Sequence, residues 1–157
     1  MPIVITPSAA VALAILASGG LLLLGLLAGI WKYSGMMRSE RGRAPYYVDV
    51  THRAALMYSF AALVLAVLAY FSVFSATQNL WAVGLNVVYF LGAIASYAVH
   101  GVLKDTDNQF RSPHQLGGLT LPRLLIHLLM GSLIVGEVGG TLWLLVGATL
   151  GLMPAFG

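Results

Sequence analysis

No cysteine occurs in the chain. Disulfides, thiolate nucleophiles, cysteine-ligated zinc and covalently attached c-type haem are therefore excluded. Charge is nearly as scarce: Asp, Glu, Lys and Arg make up 8% of the residues, against 59% hydrophobic ones and a mean hydropathy of +0.90. So few charged groups cannot cover the surface of a soluble domain of 157 residues. No Lys or Arg precedes the first apolar run, and that run has no clear small-residue cleavage site. It reads as a first span rather than a removable signal peptide, with the N-terminal octet and the last few residues as short outer tails.

What the chain does contain is four long apolar segments, at about residues 9–31, 54–75, 80–103 and 124–149. Each is near the roughly 20 residues a helix needs to cross about 30 Å of hydrocarbon. The expected fold is all-α, a single integral membrane four-helix bundle over residues 1–157. The short stretch 76–79 between the second and third spans makes them antiparallel neighbours.

The basic residues are distributed one-sidedly. Lys32, Arg38, Arg41, Arg43 and Arg53 flank the first connection, and Lys104, Arg111 and Arg123 flank the third, which accounts for all 8. The positive-inside rule then places both connections in the cytoplasm and both termini outside, as in a bacterial inner membrane. The net charge of +3 reads as a basic membrane surface, with the lipid bilayer as partner and no nucleic acid.

Small and polar residues recur at helical spacing. Gly25 and Gly29 in the first span permit close helix approach, either within the bundle or between copies. Gly136, Gly140, Gly147 and Gly151 mark one close-contact face of the fourth span. On the third span Asn86, Tyr89, Ala93, Ser96, Tyr97, His100 and Lys104 form a stripe that should face the bundle or a partner chain, because polar groups against lipid are costly. In the loop that follows, Asp105, Asp107 and Asn108 resemble the start of a calcium loop but lack its turn glycine and closing glutamate, so calcium is not expected.

Chemistry is concentrated where the second span begins, in Pro-Tyr-Tyr-Val-Asp-Val-Thr-His-Arg from Pro45 to Arg53. His100 lies four residues before Lys104, and His127 four after Arg123, each about 6 Å inside its charged anchor at 1.5 Å per residue. His52 adjoins Arg53, so three imidazoles on three helices fall at similar depth. Imidazole suits haem iron, copper or zinc, and Asp49, one turn before His52, could orient that ring through its other nitrogen. The expected site has His52 as ligand to haem or another metal and Asp49 as its orienter. Tyr58, Tyr97 and His100 line a pocket for a small apolar ligand, and His127 is a second ligand or pocket wall. His114, in the loop, is expected to be solvated. Glu137 stands alone past the membrane midplane, either handling protons or substrate or bonding Thr141 while protonated.

These residues resemble the styrene-oxide isomerase family of small four-helix membrane enzymes. The likeness covers roughly residues 51–140. It rests on His52 followed by a small-residue and Leu-rich turn, on Tyr97 near the end of the third helix, and on Asn108-Gln109 followed by Leu116-Gly117. The resemblance implies haem b on His52, a trimeric homo-oligomer, and ferric iron acting as a Lewis acid that rearranges an epoxide to an aldehyde. Where that family has a substrate-facing Asn two turns into the second helix, this chain has Tyr58. A competing expectation is a non-enzymatic accessory subunit of a larger membrane complex, docking through its polar stripe and glycine faces.

Overall fold

The computed structural model describes residues 6–156, so the first five residues of the expected outer tail, and Gly157 at the other end, lie outside the described residues. Four helices dominate: α1 (Ala9–Met37), α2 (Tyr46–Phe71), α3 (Ala76–Leu103) and α4 (Arg123–Leu152), the last followed by a 3-10 turn, Met153–Phe156. All four are long and apolar enough to cross a membrane. The chain is thus an all-helical four-helix bundle of the kind expected for an integral membrane protein.

Local chemistry sets the helix ends. Ser8 caps α1 by accepting from the Val11 N–H, and Ser75 caps α3 with Gln78 reaching back to it, a complete capping box. That box corrects one expected boundary. The α2–α3 connection is residues 72–75, and α3 begins four residues earlier than its apolar pattern, at Ala76. Pro45 and Pro122 stand immediately before α2 and α4, at the cap rather than inside the first turn, with extended backbone that ends the preceding loop.

Helix α2 also starts eight residues before its apolar core, because its polar first turns are neutralised in place. The Asp49 carboxylate receives Lys32 Nζ from α1 at 2.6 Å and Arg53 Nε from the next turn at 2.9 Å. In the same layer α3 closes on both neighbours. A Cβ at Gly101 would lie 2.9 Å from the Trp31 ring and 3.2 Å from the Val48 nitrogen. The basic ends of α1, α2, α3 and α4 therefore share one end of the bundle.

The core is built from small residues, among them Ala10, Ala14, Ala55, Ala62, Ala66 and Ala82, with Leu21, Leu65, Val83 and Leu144 between them. Close backbone approach is the main source of cohesion between helices in lipid, where no hydrophobic force separates helix from solvent. Gly25 and Gly29 are used inside the chain: a Cβ at Gly25 would lie 2.7 Å from Leu56 Cδ2, and one at Gly29 3.0 Å from the His52 ring. Along α4, Gly136 presses on Tyr89, Gly140 on Asn86 and the Ala82 carbonyl, Gly147 on Ser72, and Gly151 on the Phe71 carbonyl. The buried residues of α4 all lie from Gly136 onward. Its first three turns therefore stand off from the bundle.

The loop between α3 and α4 fills part of that gap. It carries a two-residue hairpin in which Gln115 pairs with Thr120 and Leu116 with Leu119, turning at Gly117-Gly118. Gly117 has φ +57, the left-handed backbone that such tight hairpin turns require.

Candidate functional site

The residues expected to form one site are divided between two faces of the bundle. On the first face His52 lies against α1, its Nδ1 2.8 Å from the Gly25 carbonyl oxygen. A carbonyl can only accept, so Nδ1 carries a proton, and Nε2 is the ring nitrogen left for a ligand. The absent side chain of Gly29 makes room for the ring. Asp49 does not orient His52, as the sequence had suggested. Its two oxygens are taken by Lys32 and Arg53, and the backbone of α1 orients the imidazole instead.

On the second face His100, 5% exposed, donates from Nδ1 to Asp105 Oδ1 at 2.8 Å, while Asp105 Oδ2 receives the Gly117 N–H at 2.6 Å. Burial raises the Asp105 pKa, but the Gly117 and His100 donors outweigh it and hold the carboxyl below its ordinary value. Tyr47 from α2 completes the cluster. Its ring centroid lies 5.1 Å from that of His100 and 6.0 Å from that of Tyr97, and its hydroxyl accepts the Gln109 N–H at 2.6 Å. Ser96 donates to Gln109 Oε1 at 3.0 Å. These bonds tie the α3–α4 loop down over the end of α3.

Beneath the loop, between α3 and α4, is a cavity of about 420 Å³ whose wall includes Tyr89, Tyr97 and His100. The polar stripe on α3 thus turns toward the cavity, while Leu91 lies outside its lining and is exposed, and Val99 is exposed at its edge. Neither His52 nor Tyr58 lines this cavity. Tyr58 stacks on Phe90 with centroids 4.3 Å apart and planes 15° from parallel. At about 100° per residue the six positions from His52 to Tyr58 bring it to a different face of α2.

The other expected ligands are used elsewhere. His127 is exposed and accepts from Arg123 Nε at 3.1 Å, so it forms no wall of the cavity. Among the described residues no group of three His, Cys, Asp or Glu side chains converges to hold a metal ion. His114 is buried rather than solvated, 8% exposed, with Nδ1 3.3 Å from the Gln109 carbonyl. Thr141 bonds Asn86 Oδ1 at 3.1 Å instead of Glu137. Glu137 Oε1 is buried without a hydrogen-bond partner among the described residues.

Sequence reasoning missed the His100–Asp105 pair and the role of Tyr47. The available signal was a carboxylate five residues after a terminal histidine, just beyond a helix end at Lys104, whose φ of 52 turns the chain back on itself. From the sequence Asp105 reads only as part of an incomplete calcium loop. No family model, curated protein or solved structure matches the chain.

Proposed function

We propose that the chain is a haem b protein of the membrane with His52 as axial ligand, acting as a Lewis-acid isomerase on a small apolar substrate of the epoxide type. The observation that carries this reading is the His52 Nδ1 bond to the Gly25 carbonyl. A backbone acceptor on one ring nitrogen fixes the tautomer and raises the basicity of the other, as is usual for ligating histidines. The donor set suits haem better than a bare ion, because the macrocycle brings four nitrogens of its own and needs only one imidazole from the protein. When bound, ferric haem supplies a Lewis acid toward a substrate oxygen. The chain's part is to hold the imidazole, and the seat formed by Gly25 and Gly29 restrains the ring from rotating.

The reading includes a homo-oligomer, trimeric by the resemblance; because the α3–α4 cavity does not reach His52, a second copy would have to enclose the haem there. Detergent-purified protein from haem-supplied cells should show a Soret band that His52→Ala removes. His100→Ala and His127→Ala should retain it, since one ring is committed to Asp105 and the other accepts from Arg123. A colourless but folded preparation would overturn the reading. It would favour the accessory subunit, which draws support from the way Tyr58, His100 and His127 are all engaged away from His52.

The proposed orientation has the basic end in the cytoplasm and both termini outside. Reporter fusions at Arg41 and Gly117 should both read cytoplasmic, and an external reading at either would reject that orientation.

A further inference from the structure

The α3–α4 cavity has two chemically different ends. Helix α4 contributes only apolar side chains, Ile126, Leu129, Met130 and Leu133, whereas α3 adds the polar Tyr89, Ser96, Tyr97 and His100 beside Ala93 and Val99. Several polar groups at that end are already engaged, whereas the Tyr89 and Tyr97 hydroxyls make no hydrogen bond with the described residues. Ser96 is spent on Gln109, the Gln109 N–H on Tyr47, and both Asp105 oxygens on His100 and Gly117. His100 differs. Its Nδ1 proton is given to Asp105, and no hydrogen bond from the described residues reaches its Nε2. In the neutral ring that atom is an acceptor.

His100 also borders a polar recess shared with Lys104, Asp105 and Asp107. The ring therefore divides the apolar cavity from the charged end of the bundle. A volume of about 420 Å³ falls within the range of small-molecule sites, which are mostly apolar with a few placed polar groups.

From this geometry we infer that the cavity is a binding site for a small apolar molecule bearing one hydroxyl group, which donates to His100 Nε2 while the apolar body lies against α4. The site is separate from His52 and does not rest on the haem reading. The Asp105 carboxylate orients the imidazole, and the loop hairpin, through Leu116, closes the cavity.

The test uses the full chain in lipid nanodiscs with ¹³C-methyl-labelled methionine, the Met130 signal being assigned with Met130→Leu. The probe is 2-naphthol, compared with 2-methylnaphthalene, which has nearly the same shape and no hydroxyl. The expected result is a saturable Met130 shift with 2-naphthol and about tenfold weaker binding of 2-methylnaphthalene, the loss of one hydrogen bond. His100→Leu should bring the two probes to similar affinity. Since that change could also loosen the loop, Gly92→Phe provides an independent arm. Gly92 lines the cavity and a Cβ there meets nothing within 4 Å, so Phe should fill the space and abolish the shift while the His100–Asp105 pair remains.

The same response is expected in His52→Ala, which separates failure of this site from failure of the haem site. Equal affinity of the two probes for the unmodified chain would overturn the inference. So would saturable binding that survives Gly92→Phe, or a Met130 signal that does not respond because lipid chains occupy the cavity.

Discussion

The two halves of the bundle solve the same problem in opposite ways. Between α1 and α2 the backbones are brought so close that Gly25 and Gly29 have no room for a Cβ, and His52, packed against them, is bonded to backbone. Between α3 and α4 the close contact is confined to the half away from the basic loops, where Gly136, Gly140, Gly147 and Gly151 press on α2, α3 or their connection. Toward the basic end α4 diverges, and the space is bridged by a hydrogen-bonded loop rather than by helix packing. A tight contact leaves little volume for a ligand. A bridged gap leaves a cavity, at the cost of depending on a few polar ties.

If close contact and open cavity are as distinct as this, glycines at a close contact and on the cavity wall should respond to substitution in opposite directions. Gly140→Val is expected to have the largest effect, because even a Cβ would sit 2.6 Å from Asn86 Nδ2 and 2.9 Å from the Ala82 carbonyl, which is backbone and cannot move aside. Overpacking of that kind costs about 1–3 kcal/mol, and loss of the Asn86–Thr141 contact would add to it. Gly92→Ala, on the cavity side where a Cβ meets nothing, should instead be neutral or stabilising by up to about 1 kcal/mol, the ordinary helix preference for Ala. Thermal unfolding in detergent measures both. Similar destabilisation by the two changes would remove the distinction between close helix contacts and the open cavity.

The loop ties should show a smaller and more local effect. Asp105→Ala leaves the Gly117 N–H and the buried His100 Nδ1 without their acceptor, an expected cost of about 1–3 kcal/mol, confined to the cap. Hydrogen exchange at the Gly117 amide should accelerate while exchange in the α1–α2 core stays unchanged. Acid should do the same without mutation. The folded-state pKa of Asp105 lies below its unfolded value of about 3.9, so its contribution is fully present above that value and is lost as pH falls through the lower, folded value. Gly117 protection that is flat down to the global acid transition would show that Asp105 does not hold the cap.

Much of the fold was legible because apolar runs and helical spacing are local properties. The four spans, the glycine face of α4 and the inward turn of the α3 stripe all follow from residue intervals. The α2–α3 boundary was readable too, in Ser75-x-x-Gln78, but hydrophobicity alone pointed four residues too late. The site was legible only in part. His52, His100 and His127 do lie toward the same end of the bundle, yet each faces a different neighbour: the Gly25 carbonyl, Asp105 and Arg123. His114 looked like a solvated loop residue because nothing local reveals that the loop folds back over α3.

The sequence by itself determined how far along each helix every residue stands, since a rise of about 1.5 Å per residue converts spacing directly into position along the axis. It also determined which end of the bundle is basic and where close contact between helices is possible. Only the tertiary structure decided the direction around the axis in which each side chain points relative to the other helices. That direction depends on which glycine meets which neighbour and on how far α4 leans away. Those are long-range packing choices, and they placed His52 against α1 and His100 at the mouth of a cavity.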